Sequence, residues 1–150
     1  MKRQLSKREL ELLSAELKGK FAREFFSRKD RAELQDDSLL FRNGELLFFR
    51  LNNQWIPSLK YLQFDGFLPT VVIDMGAVAF VASGADVMRP GIVQIDDVIL
   101  ANSLVAVVDE KNHKPVVVGQ ALFDASAMRS LFKGKVIKTL HYVGDKWWGL

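Results

Sequence analysis

Two β-branched runs, Leu104–Val108 and Val116–Phe123, flank the polar loop Asp109–Lys114. Side chains branched at Cβ suit a pleated, half-buried surface, and the loop supplies turn residues, so this stretch predicts a β-hairpin. Shorter apolar runs at Val71–Ile73, Ile92–Ile95 and Val136–Tyr142 stand beside Gly, Pro or Asp. Between them, Ala77, Phe80, Val81 and Gly84 share one predicted helical face, and Asp124 predicts the cap of a helix reaching Phe132, ended by Lys133-Gly134. Many short strands with few helices argue for a small barrel in the C-terminal half.

The N-terminal half reads differently. Ser6 and Glu9 form an S-x-x-E capping box, with Leu5 and Leu10 as a hydrophobic staple. Leu10, Leu13, Leu17 and Phe21 continue at helical spacing, and Gly19 is expected to end or loosen that helix. The charged segment Ser27–Asp37 has no clear period. Beyond it, Leu39–Arg42 and Glu45–Leu51 flank Asn43-Gly44, the dipeptide that best tolerates the positive φ angles of a type I′ hairpin turn. Residues Trp55–Phe64, with Pro57 near their start, predict a strand end and a short helix. Phe67-Leu68-Pro69 reads as a connector. Domains are therefore expected at 1–66 and 67–150, with Trp55 and the Leu46–Phe49 strand packing partly against the second.

Composition removes whole classes of chemistry. With 150 residues, 49% hydrophobic and 26% charged, the chain is globular and long enough to bury a core without disulfides or metals. The absence of cysteine excludes thiol catalysis, Cys-ligated zinc, iron–sulfur clusters and disulfides. Only two histidines are present, and no nucleophile elbow, Walker loop, dinucleotide fingerprint or H-E-x-x-H site occurs. Asp36-Asp37 and Asp96-Asp97 fall in expected turns, where aspartate serves local hydrogen bonding. His113 belongs at a solvated hairpin tip. His141, in the last strand, reads first as a structural residue and second as an RNA-stacking one. No catalytic residue, cofactor or metal is expected. Met1–Leu13 interleaves charges with its leucines, and the longest apolar stretch, Ala77–Ala82, falls far short of the about 20 residues of a membrane span. A soluble, cytoplasmic protein without a membrane partner is expected.

Charge is distributed unevenly. Residues 1–66 hold 13 Lys and Arg against 10 Asp and Glu, whereas residues 67–150 hold 8 of each. Within the basic half, Lys18, Lys20, Arg23, Arg28 and Lys29 form a cluster suited to phosphates. A solvated helix face or a dock for an acidic protein gives the same pattern, and Glu9, Glu11, Glu16, Glu24 and Asp30 dilute the field. The segment Ser83–Ile92 combines Gly84, Arg89 and Pro90-Gly91. Glycine lets backbone approach a phosphate or ribose, and arginine adds a charged or stacking contact. Taken alone, the same residues describe a glycine-capped helix followed by a turn.

Several ordered motifs resemble a known family. Ile73-Asp74-Met75-Gly76-Ala77-Val78, Ser83-Gly84-Ala85, Arg89-Pro90-Gly91-Ile92, Val118-Gly119-Gln120-Ala121 and Lys133-Gly134-Lys135-Val136 resemble the PUA domain, an RNA-binding module. Upstream, Asn43–Arg50, Pro57-Ser58-Leu59 and Phe67-Leu68-Pro69 resemble the pre-PUA domain of the malignant T-cell-amplified sequence and ligatin family, as does the ending His141-Tyr142, Asp145 and Trp148. Residues 1–38 match less clearly.

The resemblance implies an α+β fold, with an N-terminal α+β pre-PUA domain followed by a PUA β-pseudo-barrel. It also implies a non-enzymatic RNA-binding protein acting in translation on tRNA or small-subunit rRNA, beside a partner carrying an SUI-type domain. In length the chain resembles archaeal stand-alone members. The alternatives are an RNA-recognition subunit for a separate modification enzyme and a protein-interaction adaptor. The implied RNA surface is Gly84, Ala85, Met88, Arg89, Pro90 and Gly91, beside the final strand. Spacing adds Lys135 and Lys138. Residues three apart on a strand face opposite sides unless a bulge intervenes, so at most one of the two is expected to face RNA.

Overall fold

The computed structural model describes residues Met1–Leu150. The N-terminal half contains β1 (Lys2–Gln4), α1 (Lys7–Phe21), β2 (Ala32–Gln35), β3 (Leu39–Arg42), β4 (Glu45–Leu51), β5 (Gln54–Pro57) and α2 (Leu59–Phe64). Its five strands form one antiparallel sheet in sequence order. The capping box is present: Ser6 Oγ accepts from the Glu9 N–H at 3.1 Å, and Glu9 Oε1 accepts from the Ser6 N–H at 3.0 Å. Asn43 and Gly44 hold φ of 52° and 86°, as the predicted type I′ turn requires.

Gly19 does not break α1. The helix runs to Phe21 and ends on Ala22, at φ 58°, whose N–H donates to the Lys18 carbonyl. Phe21 explains the extension, because its ring packs 5.3 Å from Phe48 and 5.4 Å from Phe67. That packing offsets the propensity cost of one helical glycine, about 1 kcal/mol. Strands β1 and β2 lie where no strand was expected. All three residues of β1 are exposed, so no face imposes an alternating pattern.

The second half contains β6 (Thr70–Ile73), α3 (Met75–Val81), β7 (Val87–Met88), a 3-10 turn (Arg89–Gly91), β8 (Ile92–Ile95), β9 (Leu104–Asp109), β10 (Pro115–Ala121), α4 (Ala125–Ser130) and β11 (Lys135–Tyr142). Its sheet has the order β7-β11-β10-β9-β6-β8, with β6 and β9 parallel. The two edge strands, β7 and β8, are consecutive in the chain and joined by the 3-10 turn, which draws the sheet into the expected pseudo-barrel. Fifteen buried residues fill it, including Val71, Val105, Val117 and Ile137, and Met128 of α4 belongs to the same core. Two details of the helices differ from expectation. Phe80 is 70% exposed, so it lies off the buried face of α3. Helix α4 stops at Ser130, and the Asp124 carboxylate accepts from the Ala101 N–H rather than from its own helix.

A third core joins the halves. Phe41, Leu46, Phe49, Ile56, Leu59 and Leu62 meet Leu104 and Val118 in one buried cluster. Trp147 lies parallel to Phe49 at 4.0 Å. The expected packing of Leu46–Phe49 against the second half holds for Leu46 and Phe49. Trp55 instead joins the core of Leu17 and Phe48, and its indole N–H donates to Glu16 at 3.0 Å.

Candidate nucleic-acid interface

Helix α3 is launched by Asp74, whose Oδ1 accepts from the Ala77 N–H at 2.8 Å. Past its end, Gly84 adopts φ +99°, and a Cβ there would stand 2.8 Å from the Tyr142 ring. Both observations demand glycine: the backbone angle is left-handed, and the chain lies against an aromatic face. Asp86 and Thr139 fasten this segment to β11. Asp86 Oδ1 accepts from the Thr139 N–H, and the Thr139 hydroxyl donates to the Ala85 carbonyl, each at 2.8 Å. The result is a ledge of Gly84, Ala85 and Met88 along β11, with Met88 51% exposed. Sequence reasoning missed Asp86, Thr139 and Tyr142, whose partners lie across the barrel seam rather than nearby in the chain.

Pro90 is exposed at the end of this ledge. Gly91 has a different role, since a Cβ there would come 2.6 Å from the Ala77 Cβ, making it a packing glycine between the turn and α3. Arg89 is committed to the fold: Nε donates to the Met128 carbonyl at 2.8 Å and Nη1 to the Ile92 carbonyl at 3.3 Å. Arg129 likewise donates to the Ile95 carbonyl at 2.7 Å and pairs with Asp97. The two guanidinia thereby occupy outer carbonyls of edge strand β8, blunting it against further strand pairing. Asp96 and Asp97 line the same depression as Arg89, which lowers its appeal to a phosphate.

The two lysines correct an expectation. Lys135 pairs with Met88 and Ile137 with Val87, leaving Val136 as an extra residue in β11. Val136 and Ile137 are both buried, and Lys135 and Lys138 are both exposed. The bulge shifts the alternation by one, so both lysines face outward where a regular strand would turn one inward. Lys135 pairs with Asp86 at 3.3 Å, while Lys138 has no carboxylate partner.

The N-terminal basic cluster is largely spoken for. Lys18 pairs with Glu24 at 3.2 Å and Arg23 with Asp65 at 2.7 Å. The Arg23 guanidinium holds the Asp65 carboxyl below the usual carboxylate range. Lys20 donates to the Trp55 carbonyl at 3.3 Å, and burial pushes its ammonium pKa down. Arg28 and Lys29 are exposed.

His141 is fully buried, which rules out stacking on RNA. Its Nε2 accepts from the Leu59 N–H at 3.0 Å, so the proton sits on Nδ1, which donates to Asp145 Oδ2 at 2.7 Å. Burial pulls its pKa below the ordinary histidine value, against an opposing effect of Asp145. Asp145 also accepts from the N–H groups of Tyr142, Trp147 and Trp148. His141 is thus the polar bolt between α2 and the end of β11. No group of three or more His, Asp or Glu side chains is placed to hold a metal, and no helix is long and apolar enough to cross a membrane.

A small antiparallel sheet with its helices, followed by a six-stranded pseudo-barrel whose edge carries a glycine ledge and two outward lysines, defines an α+β fold. The family model of the PUA domain matches residues 69–143, and the chain belongs to the PUA-domain family. An uncharacterized protein of Methanocaldococcus jannaschii is 40% identical over 96% of this chain and 93% of its own length. Translation machinery-associated protein 20 of Saccharomyces cerevisiae is 32% identical over 83% of this chain and 75% of its own. Malignant T-cell-amplified sequence 1-A of Xenopus laevis is 34% identical over 73% of this chain and 64% of its own. Among solved structures, a PUA-domain protein of Aeropyrum pernix superposes with a TM-score of 0.88, at 29% identity over 99% of this chain and 89% of that one. A chain of an H/ACA RNP bound to a substrate RNA matches 64% of this chain and 29% of its own, with a TM-score of 0.52 and 29% identity.

Proposed function

We propose that this protein is a non-enzymatic RNA-binding factor of translation in the cytoplasm, contacting tRNA or small-subunit rRNA beside a partner with an SUI-type domain. The observation that carries the reading is the pair of outward lysines, Lys135 and Lys138, set along the Gly84–Met88 ledge. The small Gly84-Ala85 stretch of the ledge admits ribose and phosphate closely, and the ammonium of Lys138, with that of Lys135 beside Asp86, supplies the charge that positions a backbone. The translation-associated names of the relatives support the cellular setting.

The test is binding of the whole protein to tRNA and to a small-subunit rRNA hairpin across a salt series. Replacing Lys135 and Lys138 together by alanine should weaken binding to both and flatten the log–log salt slope by about 0.7–0.9 per lost phosphate contact. An unchanged slope would remove the ledge from the interface. The similarity to a chain of an H/ACA RNP supports a second reading, an RNA-recognition subunit of a modification enzyme. Co-sedimentation with small ribosomal subunits favours the first reading, and co-purification with a modifying enzyme favours the second.

A further inference from the structure

The joint between the halves holds a cavity of about 310 Å³, away from the ledge. Leu46 and Tyr61 form apolar lining, and Arg42, Lys60 and Trp148 supply cationic and aromatic groups. The volume is at the lower end of the roughly 300–1,000 Å³ found for ligand sites.

Its two cations both lie over aromatic rings. Arg42 spends one N–H on the Phe25 carbonyl at 2.8 Å and lies 4.8 Å over the Tyr61 ring, without a salt bridge. Lys60 is exposed and holds its ammonium 5.0 Å over the Trp148 ring, again without a salt bridge. The aromatic pair divides its labour. Trp147 is stacked on Phe49, whereas Trp148 packs in part against the shared core and meets the Lys60 ammonium across its ring. Glu45, exposed at the start of β4 and opposite Arg42 in the hairpin register, is an acid at the cavity.

The geometry points to a binding site for one nucleotide of single-stranded RNA, with its base on Trp148 and its phosphate between Lys60 and Arg42. Every base has a π face, so the open part of a half-buried indole takes bases with little sequence preference. A base sliding onto the ring displaces the Lys60 ammonium from its cation–π contact and frees it for the phosphate. Lys60 has no carboxylate partner and Arg42 no direct salt bridge. Arg42 lies near enough to Asp30 and Asp65 to lower the pKa of both carboxyls, so Lys60 supplies the freer charge for that anion. Glu45 can accept from an exocyclic amine, which favours adenine, cytosine or guanine over uracil. This contact rests on the RNA-binding reading but uses none of the ledge residues. His141 lines the cavity while the adjacent Tyr142 lies under Gly84, so the two sites occupy opposite faces of β11.

The experiment titrates the whole protein with adenosine monophosphate and with an eight-residue oligoadenylate, following tryptophan fluorescence and, for the oligonucleotide, anisotropy. Both probes should quench the wild type, and the oligonucleotide should bind more tightly. Trp148→Phe should abolish most of the quench yet keep affinity within a few-fold, because the ring remains. Trp148→Ala should weaken oligonucleotide binding at least fivefold. Lys60→Gln, at an exposed position that leaves folding intact, should weaken both probes and flatten the salt slope by about 0.7. Failure of either probe to quench, with unchanged anisotropy in Lys60→Gln and Trp148→Ala, overturns the site. If Lys135 and Lys138 variants still weaken binding in that case, the ledge reading stands alone. Binding of the mononucleotide without the oligonucleotide would assign the cavity to a free nucleotide and overturn the RNA contact. No oligonucleotide or tRNA binding by the wild type would overturn both.

Discussion

Replacing His141 with leucine keeps the volume of the side chain close to native while removing both of its hydrogen bonds. The Leu59 N–H then stays buried without an acceptor, a loss of about 1–3 kcal/mol. Asp145 loses its imidazole donor as well, but three backbone N–H groups still satisfy it, which keeps the second contribution near the low end of about 1.5–3 kcal/mol for a charged bond. The combined expectation is about 3 kcal/mol. For a chain of this size, that is a fall in melting temperature of about 6–12 °C. Urea unfolding followed by tryptophan fluorescence, in a Trp55→Phe background that leaves Trp147 and Trp148 at the joint, and by far-ultraviolet circular dichroism checks it. Because the bolt ties α2 to β11, the fluorescence change at the joint should move at least as far as the backbone signal. A loss under about 1 kcal/mol would refute the assignment of Nε2 as the acceptor that secures the halves.

Acid should weaken the same joint. The folded His141 titrates below its unfolded value of about 6.5, so the unfolded chain takes up a proton first as pH falls. Stability is therefore flat above about pH 6.5 and declines below it, by up to about 1.4 kcal/mol per pH unit until the folded imidazole also protonates, and His141→Leu should remove that decline between pH 6.5 and 5.5 in urea midpoints. Gly84→Ala should lose about 1–2 kcal/mol through its left-handed φ and its contact with Tyr142, seen as a lower melting temperature. Arg89→Ala should cost about 1–3 kcal/mol by freeing the Met128 and Ile92 carbonyls, and a native melting temperature would show those bonds to be dispensable. Residues 67–150 alone should keep dispersed methyl signals from their fifteen-residue core but melt earlier, because Leu104 and Val118 lose their cover; a molten proton spectrum would make the halves one cooperative unit.

The elements legible in the sequence are those stabilised by neighbours in the chain. Ser6 and Glu9 meet three residues apart, Asn43-Gly44 carries its own turn geometry, and the Leu104–Ala121 hairpin closes on a local loop. The glycine segment after α3 was legible too, through its motif. Strands β1 and β2 were not, because β1 is wholly exposed and β2 turns only Ala32 and Leu34 inward, too few residues to set a period.

Tertiary structure alone settled the roles of particular side chains. Sequence spacing put Lys135 and Lys138 on opposite faces, and the extra residue opposite β7 put them on the same one. Arg89 looked free for phosphate, but folding brings it the Met128 carbonyl from 39 residues away. His141 finds the Leu59 N–H across 82 residues. The Arg42, Lys60 and Trp148 cavity exists only because two sheets meet there. Local pattern encodes backbone preference and burial period; the partner of a polar side chain is decided when distant segments pack and strip it of water.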